Sequence, residues 1–457
     1  MSAFRKNNHS GKPAHVQKTI PRRFGRELKE EKNPMRIYNL FPLLAGTFTD
    51  WPKHLERAKE MGFDWVFINP IQRSGNSGSL YSIADYFALD PRMVDPNAKK
   101  SPEEQIKEVA RAAKKQGLRL MIDLVINHCA VDSDLPREHP EWFAHEHDGS
   151  IAHPFCMEDG NKVVWQDLAR FDHQHTSDAN GLYEYCRRIV LYLMELGFSG
   201  FRCDAAYQIP GHFWSRLIND IRKENPDTVF TAETLGCPVD ETRETARAGF
   251  DYVFNSSKWW DFGSPWLLEQ YHLVRESCPS ISFPESHDTQ RLCQEYDGNL
   301  DAMRQRYMFS ALFSSGVMMP MGFEFGFRKP LHVVETRPGD WEQTGVDLSG
   351  FIREVNDIKA GHAIFQEDCP TSIIGYDNPG ILLMWKASAK SSGEGLLILN
   401  KDPWNRQHFY VDNLRQYVQA GAPLRDVSPG DRMEFLPEPF SYELRPGECR
   451  ALVTSRE

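Results

Sequence analysis

From Met35 to about residue 360, short apolar runs alternate with amphipathic helices, and this alternation limits the chain to few folds. The runs are Trp65-Val66-Phe67-Ile68, Leu118-Arg119-Leu120-Met121-Ile122, Gly200-Phe201-Arg202-Cys203 and Val229-Phe230-Thr231-Ala232, followed by Tyr252-Val253-Phe254, Ser280-Ile281-Ser282-Phe283 and Val317-Met318-Met319. Strands with few polar breaks are those buried on both faces, as in a parallel sheet covered by helices. Ser101-Pro102-Glu103-Glu104 starts one of the intervening helices, with Ser as cap, Pro in the first turn and acids against the dipole. Ile106, Val109, Ala110 and Ala113 follow at helical spacing before Gly117, and Tyr183 to Leu196 repeats the pattern up to Gly197. A closed (β/α)8 barrel over residues 35–360 is the expected fold. An open, doubly wound sheet is the alternative, but no G-x-G-x-x-G or Walker-type loop supports it.

One connection is too long to be a plain loop. Between His128 and about Asn180 the chain is rich in His, Asp, Pro and Trp, with little periodicity. This predicts an inserted subdomain, about 129–180, after the third strand and over the barrel mouth. Beyond Gly361 helical signals stop. Ile373–Tyr376, Ile381–Trp385, Gly395–Leu399, Gln407–Val411 and Phe440–Leu444 read as strands divided by turns. Residues 361–457 are therefore expected to form an antiparallel β-sandwich. Residues 1–34 read as a basic, disordered arm with no apolar core of a signal peptide.

Charge and cysteine usage exclude several functions. The net charge of −11 argues against nucleic acid as the main partner, because phosphate binding needs a basic surface. No apolar run approaches the ~20 residues that span a bilayer, and no feature specifies an oligomer. The nine cysteines show no C-x-x-C pair and suit a reduced, cytoplasmic setting. Eleven Trp and fifteen Tyr supply core packing and flat surfaces on which sugar rings can stack.

In a (β/α)8 barrel, polar residues at the carboxyl ends of strands face the active-site mouth. Four segments carry such residues: Asp123-Leu124-Val125-Ile126-Asn127-His128, Arg202-Cys203-Asp204, Ala232-Glu233-Thr234 and Ser286-His287-Asp288-Thr289. Arg202 and Asp204 are two apart, so on a strand they share a face and the guanidinium can orient the carboxylate. Asp123, taken alone, reads as a structural residue, and a lone His128 as a buried histidine with satisfied hydrogen bonds.

Together, in this order, the four segments resemble the signature regions of the α-amylase family of glycoside hydrolases (family 13). Gly62–Pro70 resembles that family's second barrel strand, Trp165-Gln166-Asp167-Leu168 its inserted-domain motif, and Gly316–Glu324 its last strand. The resemblance implies Asp204 as nucleophile, Glu233 as general acid/base and Asp288 as transition-state stabiliser. It also implies Tyr81 as a platform under the reacting sugar, with His128, His287, Arg202 and Asp123 in the substrate-binding set. Such a mechanism needs two carboxyl groups about 5–5.5 Å apart, with the acid held protonated.

The residues around these acids depart from common members of the family. Tyr207-Gln208 stand where many amylases have Lys-His, and Asn127 remains as a possible calcium ligand. Ser82 follows the platform tyrosine where exo-glucosidases often have Asp. Lys162–Asp167 keeps the Gln-Asp of the maltose-1-phosphate-dependent maltosyltransferases but lacks their adjacent Lys and Tyr. A hydrolase of α-1,4-glucans or maltooligosaccharides that requires no cofactor is the expectation. An α-glucan transglycosylase or maltosyltransferase and a non-catalytic glucan-binding protein are the alternatives.

Overall fold

The computed structural model describes residues 35–158, 161–418 and 423–454, and the arm expected over 1–34 lies outside them. Eight parallel strands close into a barrel: β1 Arg36–Leu40, β2 Trp65–Ile68, β3 Arg119–Leu124, β4 Gly200–Cys203, β5 Val229–Ala232, β6 Tyr252–Phe254, β7 Ser280–Ser282 and β8 Gly316–Pro320. Each pairs with its neighbours in sequence, and β1 closes on β8 from Arg36 opposite Val317 to Asn39 opposite Pro320.

Alternation along the strands creates two separate cores. Ile37, Trp65, Phe67, Met121, Val229, Tyr252, Phe254, Ile281 and Met318 fill the barrel interior. Tyr38, Val66, Ile68, Phe201, Cys203 and Phe230 face outward into the sleeve of helices. Two glycines make room inside. A Cβ on Gly200 would sit 2.6 Å from the Trp65 ring, and one on Gly316 would sit 2.6 Å from Ile281 Cγ1. The helix Pro102–Lys115 begins with a reciprocal cap. Ser101 Oγ accepts from the Glu104 amide and Glu104 accepts from the Ser101 amide, both at 3.2 Å.

Between β3 and the helix Ala179–Glu195, the chain makes two short antiparallel pairs, His128–Ala130 with Leu168–Arg170 and Phe155–Glu158 with Asn161–Val164. After the helix Ser349–Gly361 comes a five-stranded antiparallel sheet. Its order is Thr371–Ile374, Ile381–Ala387, Glu394–Asn400, Cys449–Thr454 and Leu424–Asp426. The pair Gln407–Val411 and Phe440–Leu444 forms a second layer, with Leu383, Leu396, Ile398, Phe409, Phe440 and Leu452 packed between. Among the described residues, no helix is long and apolar enough to cross a membrane.

Candidate active site

The carboxyl ends of the barrel strands bring the sequence-predicted residues into one mouth. Strand register explains the meeting. Arg202 on β4 lies directly opposite Asp123 on β3, and Cys203 lies opposite Ala232, so Asp204 and Glu233 leave neighbouring strands at the same level. One guanidinium nitrogen, Arg202 Nη1, donates to both oxygens of Asp123 at 3.0 Å and to Asp204 Oδ1 at 2.8 Å.

From Asp123 the hydrogen bonds continue round the rim. Tyr81 Oη donates to Asp123 Oδ2 at 2.6 Å and lies 2.7 Å from His287 Nε2, while Asn69 Nδ2 donates to it at 2.9 Å. A hydroxyl has one proton, so with that proton on Asp123 the His287 Nε2–H must donate to Tyr81. The two rings stack, with centroids 5.5 Å apart and planes 5° apart. His287 Nε2 is also 3.1 Å from Asp288 Oδ2, and the Asp288 side chain is 55% exposed to the mouth. His128 Nε2 lies 3.2 Å from the Tyr81 carbonyl oxygen. Burial lowers the pKa of both histidines below the ordinary value, favouring neutral imidazoles.

The acids occupy different environments. Burial pushes the Glu233 carboxyl up to about 7, with Asp204 and Asp288 adding to the rise and Arg202 opposing it. Glu233 Oε2 accepts from the Ala205 amide at 2.7 Å, and Oε1 accepts from the Leu235 amide at 3.0 Å. Ala205 adopts a left-handed conformation, φ 41°, which L-residues visit at a cost. Burial also drives Asp123 up to about 8 against the opposing pull of Arg202. Burial works against the Arg202 charge, but Asp123 and Glu233 outweigh it and its pKa is raised.

Asp123 is fully buried, with both oxygens taken by Arg202 and Tyr81, so it holds those two residues in place. Arg202, nearly as buried, holds Asp123 and Asp204 together. Asn127 does not meet a calcium donor set: its amide donates to Gln208 Oε1 at 2.8 Å. Among the described residues, no group of three or more His, Cys, Asp or Glu is arranged to hold a metal. A calcium ion takes six to eight oxygens, carboxylates prominent among them. This neutral amide pair does not fit it.

Other positioning residues were not picked out from sequence. Asn39 and Asn69 extend the rim, with Asn39 Nδ2 donating to Asn69 Oδ1 at 2.9 Å. Their signal was inward strand parity, two residues beyond Ile37 and Phe67. Glu285 and Arg291, each 1% exposed and 2.7 Å apart, clasp the two ends of the loop carrying His287 and Asp288. Arg291 also holds the Met321 carbonyl at 2.9 Å.

A closed parallel barrel with carboxylates, tyrosine and histidines at its carboxyl rim is the framework of an enzyme. The comparisons agree. The family model "Glycogen debranching enzyme, glucanotransferase domain" matches residues 31–147. An α-1,4-glucan:maltose-1-phosphate maltosyltransferase from Burkholderia pseudomallei is 26% identical over 75% of this chain and 30% of its own length. Its counterpart from Corynebacterium glutamicum is 24% identical over 85% of this chain and 61% of its own length. The chain thus spans between 30% and 61% of these two curated relatives. The crystal structure of an α-amylase from Lactobacillus plantarum superposes with a TM-score of 0.73 at 20% identity, covering 93% of this chain and 99% of that one. A noncanonic maltogenic α-amylase from Thermotoga neapolitana gives 0.71 at 20% identity, covering 93% and 99%. The chain is related to the α-amylase family of glycoside hydrolases.

Proposed function

We propose that this chain is a retaining enzyme that hydrolyses α-1,4-glucans or maltooligosaccharides. The observation that carries the reading is the register placing Asp204 and Glu233 side by side on adjacent strands. Neighbouring strands lie about 4.8 Å apart, close to the ~5–5.5 Å between carboxyl groups in retaining glycosidases.

In the proposed reaction Asp204 attacks the anomeric carbon as the bond to the leaving oxygen breaks, and that oxygen takes the Glu233 proton. Water then gives its proton to Glu233 and its oxygen to the anomeric carbon, releasing Asp204. Asp288 stabilises the positive charge that develops on the sugar. Tyr81, His128 and His287 contact its ring and hydroxyls, while Asp123 and Arg202 act as positioning residues. Calcium has no part in this scheme, and the Asn127–Gln208 pair supports leaving it out. The eight described cysteines are all free, which supports a reducing compartment such as the cytoplasm.

The names of the curated relatives favour a second reading, transfer of maltosyl units to a glucan hydroxyl instead of water. Incubation with maltotetraose separates the two. Glucose and maltose alone support hydrolysis, and products longer than the substrate support transfer. Phosphate release from maltose 1-phosphate in the presence of glycogen identifies the phosphate-using transferase. If no α-glucoside is turned over, the enzymatic reading fails, and glycogen binding without turnover points to a non-catalytic glucan-binding protein.

A further inference from the structure

A second concavity, of about 600 Å³, lies where the inserted segment, the strand Ile83–Leu89 and the helix Ala179–Glu195 meet. Its volume falls within the range of small-molecule sites. Tyr185 stands in an aromatic wall, with ring centroids 5.3 Å from Trp142 and 5.7 Å from Phe87. The Trp142 indole is fixed by a 3.8 Å stack with His139 and by donation from Nε1 to Asp178 Oδ2 at 3.0 Å. Such a wall presents flat apolar surface without first having to be ordered.

Two polar groups in the lining are unused. Among the described residues, neither the Tyr185 hydroxyl nor the Arg188 guanidinium has a hydrogen bond or ion pair with the protein, and Arg188 lies 5.2 Å from the Phe87 ring centre. Acceptors stand around them in Asp85, Glu138 and Glu184. Acidic side chains outnumber the two arginines in the lining, so a phosphate would be repelled. A neutral polyhydroxylated ligand, which both donates and accepts and has apolar ring faces, satisfies this wall.

We propose that the cavity is a second, non-hydrolysing subsite for a segment of α-glucan, an inference that rests on the function proposed above. Asp85 is four residues beyond Tyr81, a span of at most about 14 Å. A long glucan engaged at the mouth can therefore also reach the cavity, whereas a short oligosaccharide cannot fill both.

Arg188 is exposed, and Tyr185→Phe removes only a hydroxyl, so Arg188→Ala and Tyr185→Phe are expected to fold. In the wild-type background the pair should leave kcat/KM on maltotriose unchanged and raise KM on glycogen about tenfold, the scale of one lost charge-assisted hydrogen bond. Titration of maltoheptaose into Glu233→Gln protein should show two binding events, falling to one when the pair is added. Maltotriose turnover with both glycogen KM and titration unaltered by the pair overturns the cavity assignment and leaves the catalytic reading standing. Failure of the wild-type chain to turn over any α-glucan overturns the catalytic reading, and with it the ligand assigned to the cavity.

Discussion

Arg202 joins two carboxylates through a single nitrogen, in a setting with little access to water. Arg202→Met would strip the buried Asp123 carboxyl of a donor and leave it protonated, a loss of about 1–3 kcal/mol. Urea unfolding is the measurement, and unchanged stability would show that Asp123 finds another partner. Glu233 gives a sharper test because its proposed role and its pKa point the same way. In the proposed role of general acid it must be protonated, so kcat/KM on maltotetraose should fall as pH rises through about 7. In Glu233→Gln that limb should vanish, with turnover lower by about 10²- to 10⁴-fold. The effect on stability has a definite sign. The folded-state pKa is raised from 4.5 to about 7, so the proton's contribution to stability is full below 4.5 and lost as pH rises through about 7. Melting curves should therefore show Glu233→Gln gaining stability over wild type at pH 8 and not at pH 4. A gain of the same size at both pH values would refute the raised pKa.

At the scale of single elements, the barrel depends on where its strands carry no side chain. Gly200→Ala would drive a methyl into the Trp65 ring, two residues before Arg202. Overpacking of this kind costs about 1–3 kcal/mol, and a loss of activity alongside it would show that the shift reaches Asp204. The loop bearing Asn127 carries a different prediction. Because the Asn127 amide donates to Gln208 and faces no carboxylate cluster among the described residues, neither added calcium nor a chelator should move the melting temperature. A rise with calcium would restore the ion. These elements also show what sequence can reveal. The barrel strands were legible because burial on both faces leaves nearly unbroken apolar runs, and Asp204 and Glu233 because each follows such a run directly. β1 was not singled out, since Asn39 turns inward and breaks its apolar pattern. Cys449–Thr454 escaped because Arg450 interrupts it, although that charge is buried against Asp426 at 3.1 Å. The Asn39–Asn69 link and the Glu285–Arg291 clasp depend on partners that only folding brings together.

At the scale of the whole molecule, the helix Leu300–Phe313 decides whether barrel and sandwich are separable. Only Asp301, Arg304 and Arg306 give its first half a polar edge: Ala302, Met303, Gln305 and every residue from Tyr307 to Phe313 are buried, as befits a helix covered over its second half. The C-terminal domain holds it along its length. Asn299, its cap, donates to the Pro403 carbonyl at 2.7 Å, and Gln305 donates to the Asn400 carbonyl at 2.6 Å. Four carbonyls at its C-terminal end are taken by lysines. Lys359 reaches those of Ala311 at 2.8 Å and Ser314 at 2.7 Å, while Lys386, on the strand Ile381–Ala387, reaches those of Leu312 and Phe313. Helix ends leave such carbonyls without partners, and within a seam between domains they must be met by protein donors. Lys386→Met would remove a donor shared by two of them, an expected loss of about 2–4 kcal/mol. Because the lysine is on one domain and the carbonyls are on the other, that loss should shift a single transition seen alike by far-UV circular dichroism and tryptophan fluorescence. A chain ending at Gly361 should then fail to unfold cooperatively at all, since its helix would lose the Lys386 donor, the anchors of Asn299 and Gln305, and the apolar cover of the sheet. Two separate transitions in the full chain, with only the later segment sensitive to Lys386→Met, would show instead that the barrel stands without the sandwich.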